Sequence, residues 1–259
     1  MQSKKSFAVK LVVCVLIITC FCFFASACSV VSDVWVNKLT SECMQANFGV
    51  VTRYVNNDIF GQLINGKQAM GSAVVFKRIQ VNPTTTKYFL LTNNHTVAPQ
   101  DGYEEITYEI TDYKGNTYRP TLLCALKEYD LAVLTFFADN EDSVYIPLEI
   151  APQNVAIRAQ VASIGRPMGQ INALTLGRAV EYSTVKPDEN TVELSNVLFE
   201  VLYHDAPINT GSSGGAVLDE TNRIVGINFA MTYGEETGLV YGCAVPAEKI
   251  REFLSVHDL

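Results

Sequence analysis

Short, strand-like runs follow one another along most of this sequence, and they constrain its fold more than any other feature. From Phe48 onward, runs rich in Val, Ile, Tyr, Phe and Thr alternate with clusters of Gly, Asn, Asp and Pro, which favour turns. The predicted strands are residues 49–55, 69–77, 87–92, 105–111, 117–126, 131–137, 155–164, 172–182, 191–194, 197–202, 216–219, 223–232 and 238–245. Because no helical pattern separates them, the chain is predicted to be all-β, a barrel or a sandwich, and not a parallel α/β sheet.

The predicted strands fall into two sets, divided where acidic residues and prolines gather at residues 140–153. We therefore predict an N-terminal β lobe over residues 48–145 and a C-terminal β lobe over residues 146–259. The end of the second lobe, residues 246–256, is predicted to be a helix, because a proline lies in its first turn and its apolar side chains mark one face. Residues 28–47 carry weaker signals and are predicted to form a tether or a short helix.

The first 27 residues have the three-part pattern of a secretory signal peptide. Three lysines precede an apolar run at residues 11–24, and small residues at positions 25–27 come directly before Cys28. The apolar run is short for a spanning helix, which needs about 20 residues. Three outcomes stay open: lipidation of Cys28 at a sequence that resembles a bacterial lipobox, plain cleavage after Ala27, or an uncleaved anchor. Each predicts export, and the first predicts a membrane-anchored lipoprotein.

The charge of the chain excludes one class of partner. Asp and Glu outnumber Lys and Arg by 27 to 19, the net charge is −8, and no basic run follows Lys10. Binding to phosphates needs clustered Lys and Arg, so we expect no nucleic-acid partner.

The cysteines indicate neither a disulfide framework nor a metal site. Four of the seven lie in the predicted signal or at position 28. The other three, Cys43, Cys124 and Cys243, have no CxxC spacing and are predicted to be isolated thiols, with one disulfide left open for an exported protein. We expect no metal and no cofactor.

A glycine-rich segment is the first candidate for chemistry. Residues 211–215 read Gly-Ser-Ser-Gly-Gly and stand between two apolar stretches. A flexible turn is one interpretation. The other is a catalytic turn, because this arrangement places backbone N–H groups beside a hydroxyl, and a tight turn can point two of them at one developing oxyanion.

A serine nucleophile needs a base, and the base needs an orienting carboxylate. Of the three histidines, His257 lies at the C-terminus, where disorder is expected. His204 ends a predicted strand, where a structural or surface role is expected. His95 follows the apolar strand 87–92 and is the candidate base, although histidines at such places are often structural. Asp130 opens the strand 131–137 and is the candidate carboxylate, although an Asp that caps a turn is common there. The order His95, Asp130, Ser213 is the order of the chymotrypsin type.

Several motifs, in order over about residues 49–254, resemble those of the HtrA/Deg branch of the trypsin-like serine proteases. The matching segments are residues 71–75, 91–97, 129–134, 164–169, 205–215, 224–228 and 242–246. The chain departs from the pattern at Thr210, Ser212 and Ala216, where the family commonly has Pro, Asn and Pro. Many members also carry a C-terminal PDZ domain, for which we expect no room after Val245.

The resemblance implies two six-stranded antiparallel Greek-key barrels with the active site in the cleft between them. It implies His95 as general base, Asp130 as its orienting carboxylate and Ser213 as nucleophile, with the amides of Gly211 and Ser213 as the oxyanion hole. Proteins or peptides would be the substrates, and the oligomeric state stays unknown.

The resemblance also implies where the substrate binds. Pro207 and Ile208 would form the base of the primary pocket, and their apolar character predicts cleavage after small or medium aliphatic residues. Ile227, Asn228 and Phe229 would form the strand that pairs with the substrate backbone.

A different class of function stays open. A protein with this fold and little activity would act as a binding or holdase-like module, and the departures at Thr210 and Ser212 leave room for that interpretation. A structural surface lipoprotein with a fortuitous serine motif is disfavoured by the three ordered motifs.

Overall fold

A computed structural model describes residues 31–58, 60, 62–139, 144–169, 172–185, 197–233, 238 and 240–259. The predicted signal peptide, Cys28 and the predicted strand 191–194 lie outside the described residues.

Strands dominate the described residues, which confirms the all-β prediction. The helices are α1 (Asp33–Ser41), α2 (Asn94–Val97) and α3 (Ala247–Val256), with 3-10 turns at Cys43–Ala46 and Pro167–Gly169. The strands are β1 (Asn47–Asn57), β2 (Leu63–Gln80), β3 (Thr85–Thr92), β4 (Glu105–Thr111), β5 (Thr117–Tyr118), β6 (Thr121–Leu126), β7 (Leu131–Asp139), β8 (Gln160–Gly165), β9 (Ala173–Ser183), β10 (Val201–His204), β11 (Ala216–Leu218), β12 (Ile224–Tyr233) and β13 (Val240–Pro246).

The first lobe is a seven-stranded antiparallel sheet in the order β5-β4-β1-β2-β3-β7-β6. Its hydrogen-bonded order does not close, whereas the resemblance implied a six-stranded barrel. The predicted strand 117–126 is split at Pro120, which has no N–H to donate to a strand ladder. Its two halves, β5 and β6, therefore become the opposite edges of the sheet.

The second lobe is a closed six-stranded barrel in the order β10-β13-β12-β11-β8-β9. Within it, β8 begins at Gln160 and β10 at Val201, each several residues later than predicted. Its core consists of small and branched aliphatic side chains, which suit the narrow interior of a barrel. These include Val161, Leu202, Val217, Val225 and Ala244.

Aromatic side chains fill the first lobe. Phe48 and Tyr145 have ring centroids 4.8 Å apart, and Tyr88 and Phe136 stack at 5.2 Å. All four are buried, and Tyr145 also donates a hydrogen bond from its hydroxyl to Asp112 Oδ2 at 2.7 Å. Tyr145 follows the last strand of the sheet, so the segment after β7 completes the core of this lobe.

The segment between the lobes is bonded to both of them. The amide of Leu148 donates to the carbonyl of Val75 in β2 at 3.0 Å, and the amide of Ala151 donates to the carbonyl of Ile224 in β12 at 2.9 Å. The connection is therefore bonded to one strand of each lobe, β2 in the first and β12 in the second.

The thiols of Cys43, Cys124 and Cys243 are all free. Burial raises the pKa of Cys43 to about 11 and that of Cys243 to about 12, and it also raises the pKa of Cys124. Since only the thiolate is a good nucleophile, these three thiols are poorly reactive at neutral pH.

Among the helices of the described ranges, none combines the length and the apolar character that a membrane crossing needs.

Candidate active site

His95 lies on a one-turn helix that is held in place by hydroxyl groups of neighbouring strands. The helix, α2, follows the buried strand β3, and its backbone carbonyls would lack partners at the end of so short a helix. Three hydroxyls from β1 and β4 supply them. The bonds are Thr52 Oγ1 to the carbonyl of Thr96 (2.7 Å), Tyr108 Oη to that of Val97 (2.9 Å) and Tyr54 Oη to that of Ala98 (2.9 Å). The imidazole is thus carried on a short element with little freedom to shift.

Asp130 holds His95 through both of its carboxylate oxygens. Oδ2 lies 2.7 Å from His95 Nδ1, and Oδ1 accepts the backbone amide of His95 at 2.9 Å. Asp130 ends the turn between β6 and β7 at a φ of 48°, a left-handed conformation that Asp tolerates better than most residues. Its side chain is 5% exposed, against 27% for that of His95. The carboxylate therefore fixes the imidazole with Nδ1 as donor, and Nε2 keeps its lone pair.

The segment Gly-Ser-Ser-Gly-Gly forms a tight turn directly before β11. The amide of Ser212 donates to the carbonyl of Asn209 and the amide of Gly215 to that of Ser212, both at 2.9 Å. Gly211 and Gly214 have φ values of 96° and 85°, which L side chains rarely adopt. A Cβ at Gly214 would also overlap the carbonyl oxygen of Ser72. The turn therefore requires glycine at positions 211 and 214.

Strand β2 brings the histidine and the serine turn together. A Cβ on Gly71 would lie 2.7 Å from Thr96 Cγ2, one residue after His95, and 3.0 Å from the carbonyl oxygen of Ser213. Next along the strand, the amide of Ser72 donates to that same Ser213 carbonyl at 2.7 Å. His95, Asp130 and Ser213 therefore converge on one region between the lobes.

Two amides of the turn are available to an outside acceptor. The amides of Thr210, Ser212, Gly214 and Gly215 all donate to acceptors within the chain. Among the hydrogen bonds of the described residues, the amides of Gly211 and Ser213 have no acceptor. These are the two amides predicted for an oxyanion hole.

A family model described as a trypsin-like peptidase domain matches residues 71–227 of this chain. The chain belongs to the trypsin-like peptidase family. The matched residues include His95, Asp130 and Ser213, so the family match spans both lobes and all three candidate residues.

The relatives of this trypsin-like peptidase are HtrA-type proteases. It is 28% identical over 205 residues to the serine protease Do-like HtrA of Bacillus subtilis, which covers 76% of this chain and 42% of that protein. It is 31% identical over 141 residues to the serine endoprotease DegS of Haemophilus influenzae, covering 54% of this chain and 37% of that protein. The chain thus spans about two fifths of the length of these curated relatives.

A solved structure supports the same fold. The HtrA-type protease AlgWS227A with a tripeptide superposes with a TM-score of 0.58 at 22% identity, over 87% of this chain and 63% of the other. At this identity the likeness concerns the fold, and it agrees with the two-lobed architecture described above.

In this trypsin-like peptidase, the residues predicted to bind substrate lie in two different places. Pro207 and Ile208 line a pocket of about 290 Å³ beside the serine turn. The rest of its described lining is Ser163, Gly165, Pro167, Ala173, Thr175, Asn209 and Ser212, none of which is charged. Ile227, Asn228 and Phe229 are instead buried in β12 and do not line this pocket.

The pairing of β12 with its neighbouring strands changes at Phe229. Asn228 is bonded to the serine turn in both directions, since its amide donates to Gly215 (2.9 Å) and its carbonyl accepts from Gly214 (2.8 Å). Phe229 sits in a bulge that β13 does not pair, and β11 pairs β12 only as far as Ile227. On its β11-facing side, β12 has no paired strand from Phe229 onward among the described residues. Its accessible side chains begin at Ala230 and Met231, which the sequence reasoning did not single out.

His204 occupies the barrel interior, away from solvent. Its Nε2 lies 2.8 Å from Asn228 Oδ1, and Asn228 Nδ2 donates to Ser163 Oγ at the same distance, so the histidine nitrogen must be the donor. Burial lowers the pKa of His204, which keeps the ring neutral. This buried polar chain joins β10, β12 and β8 beneath the serine turn.

The third histidine, His257, lies at the end of α3 and outside this region. His257 Nδ1 lies 2.8 Å from the carbonyl of Phe253 at the end of α3, so the ring is ordered, whereas disorder was expected there. Across the part of the chain that the structure describes, no three His, Cys, Asp or Glu side chains are arranged to hold a metal ion.

Proposed function

We propose that this protein is a serine endopeptidase that hydrolyses peptide bonds of protein substrates through Ser213, His95 and Asp130. The observation that carries the proposal is the pair of contacts between Asp130 and His95. With Nδ1 committed to the carboxylate, Nε2 is the nitrogen left to take a proton. The serine turn is bonded to β2, the strand that packs against the same helix. The family and its HtrA-type relatives support this chemistry.

Acylation begins when Ser213 Oγ attacks the carbonyl carbon of the scissile bond. His95 Nε2 takes the Oγ proton, and Asp130 stabilises the imidazolium that forms. The amides of Gly211 and Ser213 donate to the developing oxyanion, and one such donor contributes about 3 to 4 kcal/mol. His95 then protonates the leaving nitrogen, the C–N bond breaks, and the acyl group stays on Ser213.

Deacylation repeats these roles with water as the nucleophile. His95 removes a proton from the water as it attacks the acyl carbon, and returns that proton to Ser213 Oγ when the ester breaks. The β11-facing side of β12 from Phe229 onward would pair with the extended backbone of the substrate, which aligns the scissile bond over Ser213.

The decisive test of this function is casein hydrolysis by the purified protein, with and without a serine-directed phosphonate. We expect cleavage that the phosphonate abolishes, with the adduct mapped to Ser213 by mass spectrometry. If neither cleavage nor labelling occurs while the protein suppresses aggregation of an unfolded client, the holdase-like module is the better account.

The pocket beside the serine turn predicts the residue preference. Its apolar lining and modest volume suit Ala, Val or Leu before the scissile bond, and no described acidic side chain would attract Lys or Arg. We expect kcat/KM for a peptide with Val at this position to exceed that of its Lys counterpart by about 100-fold, since a cation there would be desolvated without a partner. A peptide library that shows strict preference for Lys or Arg would contradict this assignment.

We further propose that the protein is exported and carries lipid on Cys28, supported by the sequence pattern of residues 1–28. In a bacterial host, labelling with a radioactive fatty acid is expected for the parent and is expected to be lost in Cys28→Ser. An N-terminus at Cys28 without label would indicate plain cleavage, and an intact N-terminus would indicate an anchor; either result contradicts lipidation.

A further inference from the structure

We infer that Ser72 is a positioning residue that preorganises the oxyanion turn, an inference that rests on the serine-protease function proposed above. Ser72 lies on β2 of the first lobe, is fully buried, and stands 139 residues before Gly211 in the sequence. It contacts the turn at two separate points, and each contact is directed at a backbone carbonyl.

The first contact uses the side chain. Ser72 Oγ donates to the carbonyl oxygen of Gly211 at 2.7 Å. A carbonyl oxygen can only accept, so the hydroxyl is the donor. The amide of Arg166 donates to Ser72 Oγ at 2.8 Å and occupies it as an acceptor. The hydroxyl proton is therefore left for Gly211, and the orientation of the O–H bond is unambiguous.

The second contact uses the backbone. The amide of Ser72 donates to the carbonyl of Ser213 at 2.7 Å. One residue thus holds the carbonyls at both ends of the stretch from Gly211 to Ser213. The two amides within that stretch that have no acceptor among the described residues are those of Gly211 and Ser213.

Gly211 is the point at which this stretch would otherwise rearrange. Its φ of 96° lies in the region that glycine alone populates freely, and a glycine has more accessible backbone states than any other residue. Holding its carbonyl fixes one of the two peptide planes that meet at this residue. The Gly211 N–H belongs to the other of these planes, so the Ser72 hydroxyl restrains it indirectly, by holding the neighbouring plane against which it would turn. The hydroxyl touches neither substrate nor the reacting atoms.

Electrostatic stabilisation of an oxyanion depends on donors that are oriented before the reaction begins. Without the Ser72 hydroxyl, the turn would keep its bond to the Ser72 amide but lose the restraint at Gly211. Substrate binding in the pocket would change little, since Ser72 does not line it. The effect is therefore expected in kcat rather than in KM.

The test compares Ser72→Ala with Tyr145→Phe in the full chain. Tyr145 is the matched control, because its hydroxyl is also buried and also donates at 2.7 Å, but to Asp112 in the core of the first lobe. We expect Ser72→Ala to lower kcat by about 10- to 100-fold with KM changed less than about 3-fold, a smaller loss than deletion of an oxyanion donor itself. Tyr145→Phe is expected to lower the melting temperature and leave kcat unchanged.

Two further measurements separate positioning from general destabilisation. A peptide boronate, which forms a tetrahedral adduct on the serine, is expected to lose affinity for Ser72→Ala in parallel with kcat, while a product peptide binds as before. Hydrogen exchange over residues 209–215 is expected to accelerate in Ser72→Ala and not in Tyr145→Phe, and this readout needs no catalysis.

The outcomes distinguish this inference from the proposed function. If the parent cleaves casein and Ser72→Ala retains kcat within about 3-fold, the positioning role is overturned and the protease stands. If the parent neither cleaves nor reacts with the phosphonate, the function fails, and unchanged exchange over residues 209–215 in Ser72→Ala overturns the positioning role independently.

Discussion

Replacing Ser213 with alanine is expected to abolish casein hydrolysis, with kcat reduced by about 10⁶-fold, the loss seen when a triad serine is removed. The reason is that no other hydroxyl takes its place. Ser212 is buried, and its Oγ is occupied inside the turn, where it accepts the amide of Asn209 at 3.2 Å. The fold of the Ala variant should persist, because the Ser213 backbone keeps its bond to the Ser72 amide.

The adjacent serine provides the matched control for this prediction. Ser212→Ala removes a hydroxyl from the same turn and is expected to lower kcat by no more than about 10-fold, as the loss of one modest hydrogen bond would. Steady-state cleavage of casein measures kcat for both variants, and circular dichroism checks that both are folded. Full activity in Ser213→Ala, or inactivation only by Ser212→Ala, would overturn the assignment of the nucleophile.

Asp130→Asn is expected to lower kcat by about 10⁴-fold while leaving the protein folded, as a wrong histidine tautomer does in enzymes of this type. The contacts of Asp130 explain why the tautomer would be wrong. The Asn oxygen must still accept the backbone amide of His95, which Oδ1 of Asp130 accepts at 2.9 Å. The Asn NH₂ then faces the ring where Oδ2 lay, 2.7 Å from Nδ1. Two donors cannot meet there, so Nδ1 becomes the acceptor and Nε2 carries the proton.

The fold should tolerate this change, because Asn accepts the left-handed φ of position 130 as readily as Asp. The control is Asp139→Asn at the opposite, exposed end of the same strand, which is expected to leave kcat unchanged. Nuclear magnetic resonance of the His95 ring reads the tautomer directly. A variant with parental kcat, or a ring that stays protonated at Nδ1, would contradict the proposed role of Asp130.

Much of the site could be predicted from the sequence because its polar residues stand at the ends of apolar strands. His95 follows β3 and Asp130 precedes β7, two neighbouring strands of one sheet, so local pattern and topology agree. The serine turn could also be predicted, because the φ values of Gly211 and Gly214 are ones that favour glycine.

Other features depend on contacts that no local pattern reveals. Ser72 reads as an ordinary small residue in a strand, and its partners in the serine turn lie in the other lobe. The bulge at Phe229 depends on the register between β12 and β13, so the sequence could not show that Ile227 and Asn228 are enclosed while Ala230 and Met231 are accessible. The predicted strand 117–126 ran through Pro120, and the effect of this proline on the first sheet follows from where β5 and β6 lie.

The three hydroxyls that hold α2 affect the order in which the parts of the candidate site can form during folding. Every described bond that fixes His95 comes from the first lobe, whereas the serine turn is held by Asn209 and Asn228 of the second lobe and by Ser72 of the first. A chain that folds from its N-terminus would therefore complete the surroundings of the proposed base before those of the proposed nucleophile. The proposed hydrolysis would thus require both lobes to be folded and in contact, which the first lobe alone does not provide.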